Sequence, residues 1–139
     1  MSAISITAAN VSVDTAYPYQ VNKDYKAGDT ITAGMCVYLD SSNLWQKSDA
    51  NGASALRTCG GIALNGASNG QPLAVAQSGT VVNIGGTLVA GGVYVMGATA
   101  AGDINPVADL TTGWYTTVLG VALTTSKLAL QIYNSGVVN

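Results

Sequence analysis

The sequence predicts an all-β fold, a barrel or sandwich of many short strands, on three observations. Strong helix formers other than Ala and Leu are scarce; there is no glutamate, and the seven acids are all aspartates. From residue 30 onward the chain is a series of short apolar pieces punctuated by Gly, Asn, Ser and Asp. Short segments also recur in the same order about 55 to 59 residues apart.

The elements follow in chain order. Residues 2–13 alternate, with Ile4 and Ile6, then Val11 and Val13 after a two-alanine break, which is the period of a half-buried strand. Residues 14–29 hold three tyrosines, one proline and four of the twelve charges before Gly28, and read as an extended connector. The chain therefore divides into an N-terminal arm and connector, 1–28, and a β-domain, 29–139. Strands are expected at 30–32, 35–39, 44–47, 61–64, 73–76, 80–84, 87–89, 93–96, 115–122 and 127–133. Turns are expected at 40–43, 49–52, 65–70, 85–86 and 124–126. Helical structure is limited to a turn or two near 50–56 or 108–113.

The repeat is visible in three places. TITAGMCVYL (30–39) matches TLVAGGVYVM (87–96) with one residue dropped, GGIALN (60–65) matches LGVALT (119–124), and PLAVAQSG (72–79) is shadowed by KLALQIYNSG (127–136). Three matches in one order indicate two related β-units sharing one core, because neither is large enough to bury its own.

Composition excludes several functions. A chain of 139 residues with no histidine and no glutamate lacks the means for zinc hydrolysis, histidine triads and the usual acid–base pairs. Five basic residues spread along a chain of net charge −2 give no electrostatic grip on nucleic acid. No apolar run reaches the ~18 residues of a membrane helix, and the first residues do not read as a signal peptide. Without a secretion signal, Cys36 and Cys59 are expected to be free thiols that pack as small buried hydrophobes. Residues 58–102 carry no charge, which fits either a surface facing other protein or a core layer with a neutral outer face.

Motifs for chemistry are weak. The glycines of CGGIALNGASNG are not followed by Gly-Lys-Ser/Thr, so they are turn residues rather than a phosphate loop. AGDTITAGMCVY resembles the rim of biotinyl and lipoyl carrier domains, but Lys23, Lys26, Lys47 and Lys127 all lack the hairpin-tip setting of a carrier lysine. Asp49–Asn51 and Asp103–Asn105 are single pairs that read as Asx turns rather than calcium loops. No cofactor and no metal is expected. Tyrosine and tryptophan without phenylalanine suit half-wet surfaces, yet Trp45 and Trp114 have no flanking acids or amides in sequence to pin a sugar.

The pieces AGDTITAGMCVYLDSSNLWQKSDA, GGIALNGASNGQPLAVAQSGTV, the second AGGVYV and LGVALT resemble the capsid decoration, or cement, proteins of tailed bacteriophages. The resemblance implies a small β-barrel or β-tulip-like domain, commonly a homotrimer, with no catalysed reaction. It implies a place on the outer capsid surface of the virion, assembled in the host cytoplasm, where the protein ties neighbouring major capsid protein subunits together. In that setting the arm would add a strand to the shell, with Ile4, Ile6, Val11 and Val13 in alternate pockets and Tyr17 and Tyr19 anchoring its exit. The expected partners are the major capsid protein and other copies of the chain, not nucleic acid or membrane. A carbohydrate- or receptor-binding module on the virion surface is the alternative, and a small enzyme the third.

Overall fold

The computed structural model describes residues 3–139. The chain is all-β, with twelve strands in two six-stranded sheets. In order they are β1 (Val11–Val13), β2 (Val21–Asn22), β3 (Lys26–Ala27), β4 (Cys36–Leu39), β5 (Leu44–Lys47), β6 (Gly61–Ala63), β7 (Val75–Ala76), β8 (Val81–Ile84), β9 (Val93–Met96), β10 (Ile104–Pro106), β11 (Tyr115–Ala122) and β12 (Lys127–Val138). Helical structure is confined to 3₁₀ turns at Ala8–Asn10, Ser54–Arg57 and Val107–Asp109. No helix among the described residues is long and apolar enough to cross a membrane.

One sheet runs β2-β7-β6-β4-β5-β3, the other β1-β8-β12-β11-β9-β10. The shared order is the repeat made visible: β7-β6-β4-β5 of the first unit corresponds to β12-β11-β9-β10 of the second. Registers agree as well. Cys36 faces Ile62 and Val37 faces Gly61 in the first unit, as Val93 faces Val121 and Tyr94 faces Gly120 in the second. Gly34 donates its N–H to the Ala63 carbonyl at 2.8 Å, and Gly91 donates to Ala122 at 2.8 Å. Both glycines have positive φ, 93° and 80°, a conformation that glycine adopts without a Cβ penalty.

The registers adjust the sequence alignment in two places. Cys36 occupies the place of Val93, so no residue is dropped between the copies. Val75 pairs with Ala63 as Leu128 pairs with Ala122, which shifts the third match by two residues. A shift of two keeps each side chain on its original face.

Neither unit is a closed barrel. Each is a sheet rolled until its edges approach. In the first unit β2 and β3 are the two edges, yet they are consecutive in the chain, and a bridge from Lys26 to Pro72 brings the edges together. The roll encloses Ala27, Ile31, Val37, Trp45, Ala63, Ala67, Leu73 and Val75. A larger core holds Tyr94, Met96, Ile104, Ala122 and Leu128 from the second unit, together with Cys36, Ile62 and Ala76 from the outer face of the first. The two units thus share a core, as their size requires.

Three further expectations change. Residues 11–13, 21–22 and 26–27 are strands of the two sheets, so the stretch 14–29 is not an extended connector throughout. Cys36 and Cys59 are buried as expected but joined in a disulfide rather than free. The pairing of β4 with β6 sets their Cα atoms 6.1 Å apart, within bridging range. Trp45, Tyr38 and Tyr94 are buried, not half-wet, and Trp45 is only 2% exposed. The uncharged stretch 58–102 contains β6 to β9, most of whose residues are buried, while the segments between them are mostly half-buried or exposed.

Candidate functional site

The residues singled out at the N-terminus lie against the protein's own body. Ile4 and Ile6 are half-buried and pack on the shared core, and Val11 is buried in it. The half-buried strand expected over residues 2–13 is present only at Val11–Val13, after a 3₁₀ turn at Ala8–Asn10, and its partner is internal. Val11, Ser12 and Val13 pair antiparallel with Ile84, Asn83 and Val82 of β8. Val13 then borders an open groove of about 590 Å³ shared with Tyr19, Val21, Leu64 and Ala74. Tyr17 and Tyr19 are exposed, at 43% and 53%, on the link from β1 to β2.

The arm does more than lie on the surface. Thr7 donates its N–H to the Gly85 carbonyl at 2.8 Å, and Ile4 donates to the Ile104 carbonyl at 2.9 Å. Residues 4–7 therefore stand between the end of β8 and the start of β10, bonded to both. The corresponding place in the first unit is filled differently. There Gly28 donates directly to the Trp45 carbonyl at 2.9 Å, and β3 runs parallel to β5 with no strand between them. Gly28 and Gly85 hold the same position in GDTITAG and GGTLVAG, and Trp45 and Ile104 face Leu39 and Met96 at matching places in the ladders. One seam is shut; its counterpart is held open by the arm.

Small residues make room for the arm. A Cβ on Gly34 would come within 2.7 Å of the Ile6 side chain, and one on Gly85 or Gly86 within 2.5 Å of the Thr7 or Ser5 carbonyl oxygen. Any side chain there would push the arm out of its seat. About 190 Å³ of space remains beside Ile4 and Ile6, bounded by Met35, Gly102 and Ile104. Asp14, just past β1, closes the arm with an ion pair to Lys127 of β12 at 2.6 Å. The hydrogen bond from Lys127, aided by the Ala16 N–H, holds the Asp14 carboxyl below its usual 3.8, and Asp14 raises Lys127 in return.

A second feature is the outer part of β12. Its main-chain bonds on the β8 side end at Leu130, which donates to the Thr80 carbonyl and accepts the Gly79 N–H, both at 2.9 Å; beyond Leu130 only β11 pairs with it among the described residues. Side chains cover part of its other edge: Ser78 Oγ accepts the Ile132 N–H, and the Asn134 amide bonds both the N–H and the carbonyl of Cys59. A groove of about 370 Å³ runs here between Gln20, Gln77, Ile132 and Asn134. Past Asn134 the edge has no main-chain partner among the described residues, but it bulges at Gly136 (φ 70°) and Ser135 Oγ accepts the Val137 N–H at 3.1 Å; Tyr133, Val137 and Val138 are exposed at 68%, 63% and 49%. The strand was expected to stop at 133; the bulges between β11 and β12 carry it to Val138.

A third feature surrounds Trp114. A polar cavity of about 320 Å³ is lined by Thr99, Asn105, Asp109, Thr111 and Trp114, with Asn105 Nδ2 donating to Asp109 at 2.9 Å. The acid and amide missing beside Trp114 in the sequence thus arrive from β10 and the turn after it. Trp45, in contrast, is shut in the first unit with its indole N–H unpartnered.

No protein-family model matches the chain, and no curated protein and no solved structure matches it.

Proposed function

We propose that the protein is a structural component of a phage virion that binds the outer capsid surface and cements neighbouring major capsid protein subunits. The observation that carries this reading is the outer edge of β12. A strand edge that no other main chain pairs with among the described residues, capped only in part by side chains and flanked by exposed Tyr133, Val137 and Val138, is a template for strand addition: main-chain bonds supply affinity and the side chains supply register. Native chains seldom leave such an edge uncovered unless a partner uses it. With residues 4–13 engaged by the protein's own second unit, this edge replaces the arm as the capsid-binding strand. A homotrimer would present three such edges, and their combined attachment exceeds that of one through effective concentration.

The test is co-sedimentation with purified heads. The protein should saturate at a fixed ratio to capsid subunits and protect heads from heat and osmotic shock. Tyr133→Asp together with Val137→Asp should abolish both effects while leaving the circular dichroism spectrum unchanged. Unaltered occupancy in that variant, or heads equally robust without the protein, overturns the reading.

The cavity beside Trp114 favours a second reading, a carbohydrate-binding module displayed on the virion. An indole with a carboxylate, an amide and two threonines around it offers both stacking and hydrogen bonds to a sugar. Binding on a glycan array that disappears in Trp114→Ala supports this reading; an array without signal rejects it.

A further inference from the structure

From the comparison of the two units we infer that the N-terminal arm is an exchangeable strand, and that the seam between Gly85 and Ile104 accepts residues 4–7 of a second copy of this chain. The inference stands apart from the capsid reading and does not need it.

The first unit shows what the seam looks like without an insert. Gly28 meets Trp45 directly, at 2.9 Å. The second unit has the same strand order, the same registers and a glycine at the matching position, yet its seam is parted and refilled by the arm. A vacated seam therefore has a closed arrangement available to it, already realised in the same molecule. That lowers the cost of arm release, because the Ile104 carbonyl and the Gly85 backbone need not stay unpaired and buried. Parted and closed seams are the two arrangements of a bistable element.

The seat is shaped to this particular segment. Gly34, Gly85 and Gly86 let the Ile6 side chain and the backbone of Ser5 and Thr7 approach where a Cβ would collide with them, and Lys127 is placed to pair with Asp14. An identical arm from another copy makes every one of these contacts, which is why exchange between identical chains is a low-cost route to oligomers. The link allows it. Residues 15–20 are exposed and begin in a turn, closed by the Tyr17 N–H on the Asp14 carbonyl at 3.3 Å, which opening would release; Pro18 disfavours a helical conformation at Tyr17. Seven residues from Asp14 to Gln20 span about 24 Å when stretched, enough to reach a seam on an adjoining copy. Each copy then donates one strand and receives one, and a closed ring forms if the rotation closes.

The Ser12 and Asn83 side chains, which meet at 3.1 Å across β1 and β8, give the test. Ser12→Cys and Asn83→Cys are prepared as separate proteins of different mass, mixed, and oxidised. Exchange yields a covalent heterodimer joining position 12 to position 83, absent from either protein alone and lost on reduction. The double variant S12C/N83C should form a ladder of linked copies. Monomer alone in both experiments overturns the inference, as does linkage of position 12 to the capsid protein but not to a second copy when heads are present. Should the variants misfold, native mass spectrometry of mixed isotope-labelled and unlabelled wild-type protein decides. Mixed oligomers that vanish when residues 1–13 are removed support exchange, and wild-type protein that stays monomeric at micromolar concentration defeats it.

Discussion

The first and second β-units have the same strand order and matched registers, but they solve the problem of the rolled edge by different means. The first unit closes with its own lead-in, residues 21–28, and adds the Cys36–Cys59 disulfide. The second has no such closure and borrows a strand from the start of the chain. The difference teaches that a duplicated sheet need not duplicate its edge protection. Once one copy is closed by local chain, the other is free to be closed by a segment with further uses.

Removal of residues 1–13 is the strongest way to break the comparison. It strips Ile4, Ile6 and Val11 from the core and should cost about 4 kcal/mol, at roughly 1.5 kcal/mol per aliphatic side chain for largely buried groups. Hydrogen exchange should then speed up in β8 and β10 while β4 to β7 keep their protection. Equal loss in both units would mean that they are not separable.

The disulfide probes the opposite side. Cys36→Ala with Cys59→Ala removes a crosslink over a separation of 23 residues, and the expected loss is about 3 kcal/mol in urea unfolding. Exchange should rise first in β4 and β6, with the arm still docked.

Equivalence itself is tested by paired glycines. A Cβ on Gly61 would fall on the Ala76 carbonyl oxygen, and one on Gly120 on that of Ala129. Gly61→Ala and Gly120→Ala should each cost about 2 kcal/mol, and similar values from the two sites would sharpen the correspondence.

The ion pair makes arm docking depend on pH. Asp14 has its carboxyl lowered by Lys127, so this contribution is whole above the usual 3.8 and disappears as pH falls through the lowered value. At the alkaline end Lys127 is raised above 10.5, so the contribution persists to that pH and is lost beyond it. Relative to the intrinsic rate at each pH, arm amides in Asp14→Asn should be less protected near neutral pH, whereas wild type should lose that protection only at the acid and alkaline extremes.

The smallest effect is expected at Trp45. Its unpartnered indole N–H is a buried polar group that Trp45→Phe removes. The gain offsets lost packing, and the net change should stay within about 1 kcal/mol by thermal melting.

Much of this was legible in the residues. β5, β9 and β11 have the bounds expected from their apolar runs, and the two units follow from the echoes. The strands at 30–32 and 87–89 were expected but are not present as such. At matching positions Ile31 exchanges two backbone bonds with Ala67 in an isolated bridge, and Leu88 donates one to Thr125. β2 and β3 were missed because two-residue strands in a charged stretch have no period to read; β7 and β5 create them. β10 was missed because Asn105 and Pro106 look like turn residues, although Asn105 is buried. The arm's alternation was legible, but not its partner, since a strand pattern says which face is apolar and not what covers it. Asp109, Thr111 and Trp114 of the polar cavity are neighbours in sequence, but Asn105 and Thr99 reach them only through the fold.

The Ile4–Ile104 bond has a bearing on synthesis. Residues 4–7 are translated a hundred residues before the Ile104 that receives them, a delay of about 5 to 20 s at ordinary elongation rates. During that interval the nascent arm trails without its Ile104 partner beside ribosomes carrying longer chains of the same message. The timetable of translation thus gives neighbouring polypeptides their first opportunity to meet.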